Sequence, residues 1–130
     1  MVLVNIEFYD GQTRVQTPDD LKGYDPRLYS VFEKRTTALK AKVKGDSVAE
    51  RAKWLAKTRD NEGYMAEFRA NDKDGPQILE CHSPVMNLLE KYPIIGRLEQ
   101  EMFEAVLGTP VRREETRASG LYECAFYFAA

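Results

Sequence analysis

Two thiols and one imidazole are the first groups in this chain that could do chemistry: Cys81, His82 and Cys124. Thiolate and imidazole are the ligands zinc prefers, so the three could hold a metal if folding brought them together. Cys81 and His82 are neighbours in the chain, and neighbours on a strand point to opposite faces, so they do not readily pair as thiol and imidazole. A single histidine leaves little room for His-dependent acid–base catalysis. Glu99, Glu101 and Glu104 fall on the polar side of an amphipathic segment, which reads as a solvated face. Glu99 lies nearest the apolar stripe and is the carboxylate whose surroundings could perturb it. Arg112, Arg113 and Arg117 alternate with Glu114 and Glu115, so their charges cancel locally and form no phosphate or nucleic-acid patch. The aromatic supply is richer. Trp54, Tyr64, Phe68, Tyr122 and Phe126, with Met102, could line an apolar pocket for a small hydrophobic molecule. An ordinary aromatic core accounts for the same residues.

The motifs of several large enzyme classes are missing. The chain has no Gly-rich phosphate loop, no G-x-S-x-G, no H-E-x-x-H and no C-x-x-C. An enzyme is therefore not the expected reading. At 130 residues the chain has the size of one domain, and 43% hydrophobic with 31% charged residues is the balance of a globular protein. A net charge of −2 gives no global basic surface, so direct nucleic-acid binding is not expected. No run reaches the roughly 20 apolar residues that cross a bilayer. The N-terminal M-V-L-V-N-I-E-F lacks the basic start of a signal peptide. Two cysteines are too few for a disulfide framework, so two reduced thiols in a cytoplasmic protein are expected.

The elements that must position these groups follow from periodicity. Val2, Val4, Ile6 and Phe8 alternate with polar residues, which predicts a strand over 2–9. Asp10-Gly11 is a hairpin turn signal, with a return strand over 13–17 and a loop over 18–24. Asp25-Pro26 opens a helix that Gly45 ends, and Ser47-Val48-Ala49-Glu50 is a capping box for a second helix running to about Arg59. Residues 64–70 and 77–82 alternate as two strands around the polar turn 71–76. Helices follow over 85–91 and from Ile95 to Gly108. The segment 111–119 shows almost no apolar alternation, as a solvent-facing or edge strand would. After Gly120, Tyr122, Cys124, Phe126 and Phe128 share one face of a last strand. The sum is an α+β fold: an antiparallel sheet of five to six strands with about four helices packed on one face.

This frame carries a resemblance. Asn61-Glu62-Gly63-Tyr64-Met65-Ala66-Glu67, His82-Ser83-Pro84-Val85, Tyr92-Pro93, the run from Gly96 through Glu99, Phe103, Leu107-Gly108 and Pro110-Val111 to Arg113, and Gly120, Cys124 and Phe126 are similar to the pattern of SufR-like bacterial transcriptional regulators. The likeness covers the C-terminal sensor half of those winged-helix proteins, about 100 residues here. It extends to V4R-type ligand-binding domains, which share the closing strand. In the SufR-like family the cluster thiolates fall at positions that are Ser83, Gly96 and Cys124 in this chain. Serine and glycine do not replace thiolates around iron, so no iron–sulfur cluster is expected. The winged helix has no counterpart in residues 1–24, which form a hairpin and loop before a sensor-like region over 25–130.

The resemblance therefore implies a small-molecule-sensing or dimerisation domain. Its partners would be an apolar or aromatic molecule between sheet and helices, and a second copy or a DNA-binding protein. An enzyme or accessory protein using the same pocket, and a domain stabilised by zinc on Cys81, His82 and Cys124, are the alternatives.

Overall fold

The computed structural model describes residues 26–70 and 75–129, together with the strand backbone of residues 5–7 and 13–15. The Asp10-Gly11 turn, the loop over 18–24, the Asp25 cap and the turn over 71–74 lie outside the described residues. The fold is α+β. Its elements run β1 (Asn5–Glu7), β2 (Thr13–Val15), α1 (Pro26–Lys42), α2 (Val48–Asn61), β3 (Ala66–Arg69), β4 (Gln77–Glu80), α3 (Met86–Lys91), α4 (Ile94–Leu107), β5 (Val111–Ala118) and β6 (Leu121–Phe128).

The main sheet is antiparallel with order β3-β4-β6-β5, and so has four strands rather than the five to six expected. The difference lies in the N-terminal pair. β1 and β2 bond to each other, Ile6 opposite Arg14, and form a separate two-stranded sheet. Two local hairpins build that larger sheet, β3–β4 and β5–β6, and the long-range pairing of β4 with β6 joins them. Ser119 and Gly120 both have positive φ, as a two-residue hairpin loop requires. The polar segment forms edge strand β5, as its lack of apolar alternation predicts.

Register decides what faces the helices. One cross-strand row carries Phe68, Ile78, Phe126 and Arg113, and the next carries Ala66, Glu80, Cys124 and Glu115. α2 and α4 cover this face, while α1 and α3 pack on α4. The core between them is filled by Leu55, Ile78, Ile95, Met102, Phe103, Leu107 and Phe126, each almost fully buried. Phe103 stacks on Phe126 with ring centroids 3.8 Å apart. A second apolar seam, Ile94 and Leu98 against Leu28, Tyr29 and Phe32, holds α1 to α4.

The helix ends follow the sequence closely. The Ser47 hydroxyl accepts from the Glu50 N–H at 3.1 Å, and the Glu50 carboxylate accepts in return from the Asp46 N–H at 3.2 Å. This is the capping box shifted back by one residue on its return arm. α4 closes on Gly108, whose φ of 76° lets its N–H reach the Glu104 carbonyl at 2.8 Å. No described helix is long and apolar enough to cross a membrane.

Candidate functional site

Charged side chains occupy the middle of this apolar sandwich. Arg59 falls on the buried stripe of α2, four residues beyond Leu55, and is only 1% exposed. Glu80 follows Ile78 on the helix-facing side of β4 and is equally buried. Glu99 lies on the buried side of α4 at 2% exposure. This corrects the solvated face expected for that carboxylate: Glu99 comes four residues after Ile95 and three before Met102, which is the spacing of one face, so it lies within the buried stripe of α4.

The geometry is that of a closed fork. Arg59 Nε donates to Glu80 Oε2 at 2.6 Å, and Arg59 Nη2 donates to Glu80 Oε1 at 2.8 Å. The same Nη2 donates to Glu99 Oε2 at 2.8 Å. Glu99 Oε1 accepts from Arg113 Nη2 at 3.1 Å, which also reaches Glu115 at 3.0 Å and the Tyr122 hydroxyl at 3.4 Å. From Glu115 the chain of charges continues through Arg117, at 2.9 Å, to Glu90 on α3, at 3.1 Å. An uninterrupted ladder of ion pairs thus runs from the core to the surface and touches α2, β4, α4, β5 and α3.

Aromatic rings pack around it. The Arg59 guanidinium sits 3.4 Å from the Tyr64 ring centroid and 5.1 Å from that of Phe103. Arg113 lies 5.8 Å from the Phe126 centroid. Such stacking partly replaces the water a buried guanidinium loses.

Electrostatics follow from burial and pairing. Burial opposes the charge on Arg59, but the hydrogen bond and charge of Glu80, then Glu99, outweigh it and hold the pKa above the ordinary arginine value. Burial pushes the Glu80 carboxyl up, and Arg59 pulls it back only in part. The two directions compete within one pair. The arginine direction decides the state at neutral pH, because a guanidinium keeps its proton throughout the accessible range. Burial also works against the charge of Arg113, which Cys124, Glu99 and Glu115 together outweigh. Burial pushes the Cys124 thiol up to about 12, with Arg113 opposing this and Glu99 and Glu80 adding to it. Burial raises Tyr122 and Tyr64 as well.

The residues singled out from sequence separate into groups. Tyr64, Tyr122 and Phe126 meet at the charged ladder. Met102 is core, and Phe68 is half-buried, its ring 6.3 Å from that of Phe128. Trp54 stands apart: it is 44% exposed, with Lys57 over its ring. Cys81 and His82, beyond the end of β4, are exposed while Cys124 is buried. Among the described residues, no group of three His, Cys, Asp or Glu is placed to hold a metal ion.

The three positions the resemblance marks are all buried. Ser83 Oγ has no hydrogen-bond partner. A Cβ on Gly96 would come within 2.8 Å of Arg113 Nη1, so the guanidinium fills the space that a side chain there would take. Sequence reasoning missed Arg59 and Glu80 and assigned no role to Arg113. Comparison with protein-family models, with curated proteins and with solved structures finds no match.

Proposed function

We propose that this chain is the small-molecule-sensing module of a regulatory protein, of the kind that forms the effector half of transcriptional regulators. The ligand is a small molecule with an aromatic or apolar body and an acidic group, read at the seam between α4 and the sheet. One observation carries this reading. The Arg113 guanidinium lies against Gly96, with Tyr122 and Phe126 beside it and its Nε unpartnered. An acidic group that took Arg113 from Glu115 would gain a charge-assisted bond, and the rings would hold the ligand body.

The reading involves no cluster chemistry. At the three marked positions stand a hydroxyl, a glycine and a thiol that stays protonated at neutral pH. That donor set does not suit iron. Arg113 bonds both Glu99 and Glu115, so a ligand that moves it alters ties to α4 and, through Arg117 and Glu90, to α3. Two arrangements of these helices, weighted by differential affinity, give the output.

The test is native mass spectrometry of protein purified from cells, beside thermal shifts against aromatic carboxylates such as benzoate and phenylacetate. The expected result is a non-covalent adduct or a rise in Tm that Arg113→Met abolishes. A bare-chain mass, together with no shift across the panel, contradicts the reading.

A further inference from the structure

The helices cover one face of the main sheet, and the other face carries a charge pattern complementary to itself. One cross-strand row there reads Arg69, Gln77, Tyr127 and Arg112, and the adjacent row reads Glu67, Leu79, Ala125 and Glu114. The first row has a cation on each edge strand, and the second has an anion on each. All four charged side chains are more than half exposed. Each cation pairs with the anion two residues along its own strand, Arg69 with Glu67 and Arg112 with Glu114. Between the edges the face sinks into a hollow of about 240 Å³, with Leu79 and Ala125 among its lining residues and Tyr127 and Gln77 beside them.

We propose that this face is the contact between two copies of the chain. Consider a two-fold axis lying in the interface, across the strands and midway between the two rows. It sets the cationic row of one copy over the anionic row of the other, twice. Arg69 then meets the second copy's anion at position 67, and Arg112 meets the one at 114. Tyr127 comes over position 125, an alanine, so a large side chain enters the partner's hollow. An axis along the strands sets cation on cation, so the charge pattern selects one arrangement. Such a pairing is isologous, as closed dimers are, with the two sheets about 10 Å apart.

The area limits the affinity. Four strands at about 4.8 Å spacing, over the length of the two rows and their side chains, give a footprint on the order of 400 Å² per copy. The two copies together bury about 800 Å², below the roughly 1,200 Å² of stable interfaces and in the range of weak, transient ones, so the dimer is concentration-dependent. The surface is separate from the Arg113 seam, and its failure would leave the ligand reading standing.

The experiment is sedimentation equilibrium of the full chain from about 10 to about 500 µM, a range suited to an interface of this size. Three variants accompany it: Arg69→Glu with Arg112→Glu, Glu67→Arg with Glu114→Arg, and all four substitutions together. The expected parent is a reversible dimer. Each two-residue variant, with rows of like charge, is a monomer with the parent's circular dichroism. An equimolar mixture of those two variants associates again, and the fourfold variant, whose pattern is swapped but still complementary, dimerises alone. A parent that stays monomeric through the range overturns the proposal. So does a dimer that the two-residue variants leave intact, or a mixture that fails to associate.

Discussion

The contact between Gly96 and Arg113 makes one substitution unusually informative. Gly96→Ala adds a single methyl group in the first turn of α4. Alanine in place of glycine favours a helix by up to about 1 kcal/mol, less near an end. Against that, the new Cβ would stand 2.8 Å from Arg113 Nη1 and 3.2 Å from Cζ. Restoring ordinary contact moves the guanidinium by about half an ångström. An arginine end usually yields cheaply, but this one bonds Glu99, Glu115 and Tyr122. Its 3.1 Å bond to Glu99 does not survive such a displacement. Losing a charge-assisted bond at a buried carboxylate costs about 1.5–3 kcal/mol. The bond outweighs the propensity, so Gly96→Ala should destabilise by about 1–2 kcal/mol.

The sign should reverse when the obstacle is gone. In an Arg113→Met background the guanidinium is absent, and Gly96→Ala should be neutral or stabilising by up to about 1 kcal/mol. Urea unfolding followed by circular dichroism, on the parent, both single variants and the double variant, gives the coupling directly. It should reach about 1.5–3 kcal/mol. Additivity within about 0.5 kcal/mol would refute the reasoning, since it would mean that Arg113 is free to move aside at no cost.

Three further outcomes follow from the same cluster. Glu80→Ala leaves Arg59 buried with half its partners and should cost about 3–5 kcal/mol, whereas replacing the whole buried group, Arg59→Met, Glu80→Leu, Glu99→Leu and Arg113→Met together, should be no less stable than the parent; chemical denaturation checks both. Ser83→Ala removes a buried hydroxyl that has no partner and should raise stability by about 1 kcal/mol, read as a higher urea midpoint. The Cys124 thiol is held up to about 12 from 9.0, so its contribution is complete below pH 9 and is lost as pH rises toward 12. Stability should fall by about 1.4 kcal/mol per pH unit just above pH 9, and Cys124→Ala should flatten that slope in denaturation curves taken between pH 8 and about 10.

Much of the scaffold was legible because it is local. Ser47 and Glu50 name the start of α2, Gly108 names the end of α4, and Ser119-Gly120 closes a hairpin whose strands are adjacent in sequence. The pairing of β4 with β6 was not legible, since it depends on contacts across 40 residues and more. The site was half legible. Periodicity finds the buried face of an element but says nothing about a polar residue that happens to fall on it. Val48, Ala52 and Leu55 set a stripe whose next position is Arg59, and Ile78 sets an alternation whose next position is Glu80. Both were available as signals: a charge on a stripe predicted to be buried needs a counter-charge from elsewhere. Which counter-charge it meets is decided only when α2, β4 and α4 come together. Trp54, by contrast, looked like a pocket residue on size alone, and one position around the helix puts it in solvent.

The ladder's two halves obey different physics, and that bears on what it does. From Arg59 to Glu99 every member is nearly dry, so the attraction is strong, unscreened by salt and offset by desolvation. From Glu115 to Glu90 the members are 23–58% exposed, and their pairing is weak and salt-sensitive. The inner half can therefore fix one arrangement of α2, α4 and the sheet, but it cannot by itself report to the surface. The outer half reaches α3, but it is too weak to hold that helix alone. Arg113 is the residue that belongs to both, bonded to Glu99 on one side and Glu115 on the other. A change in its position is the one local event that would exchange a strong interior tie for a weak exterior one. Its Nη2 makes the three bonds that join the halves, while its Nε has no protein partner.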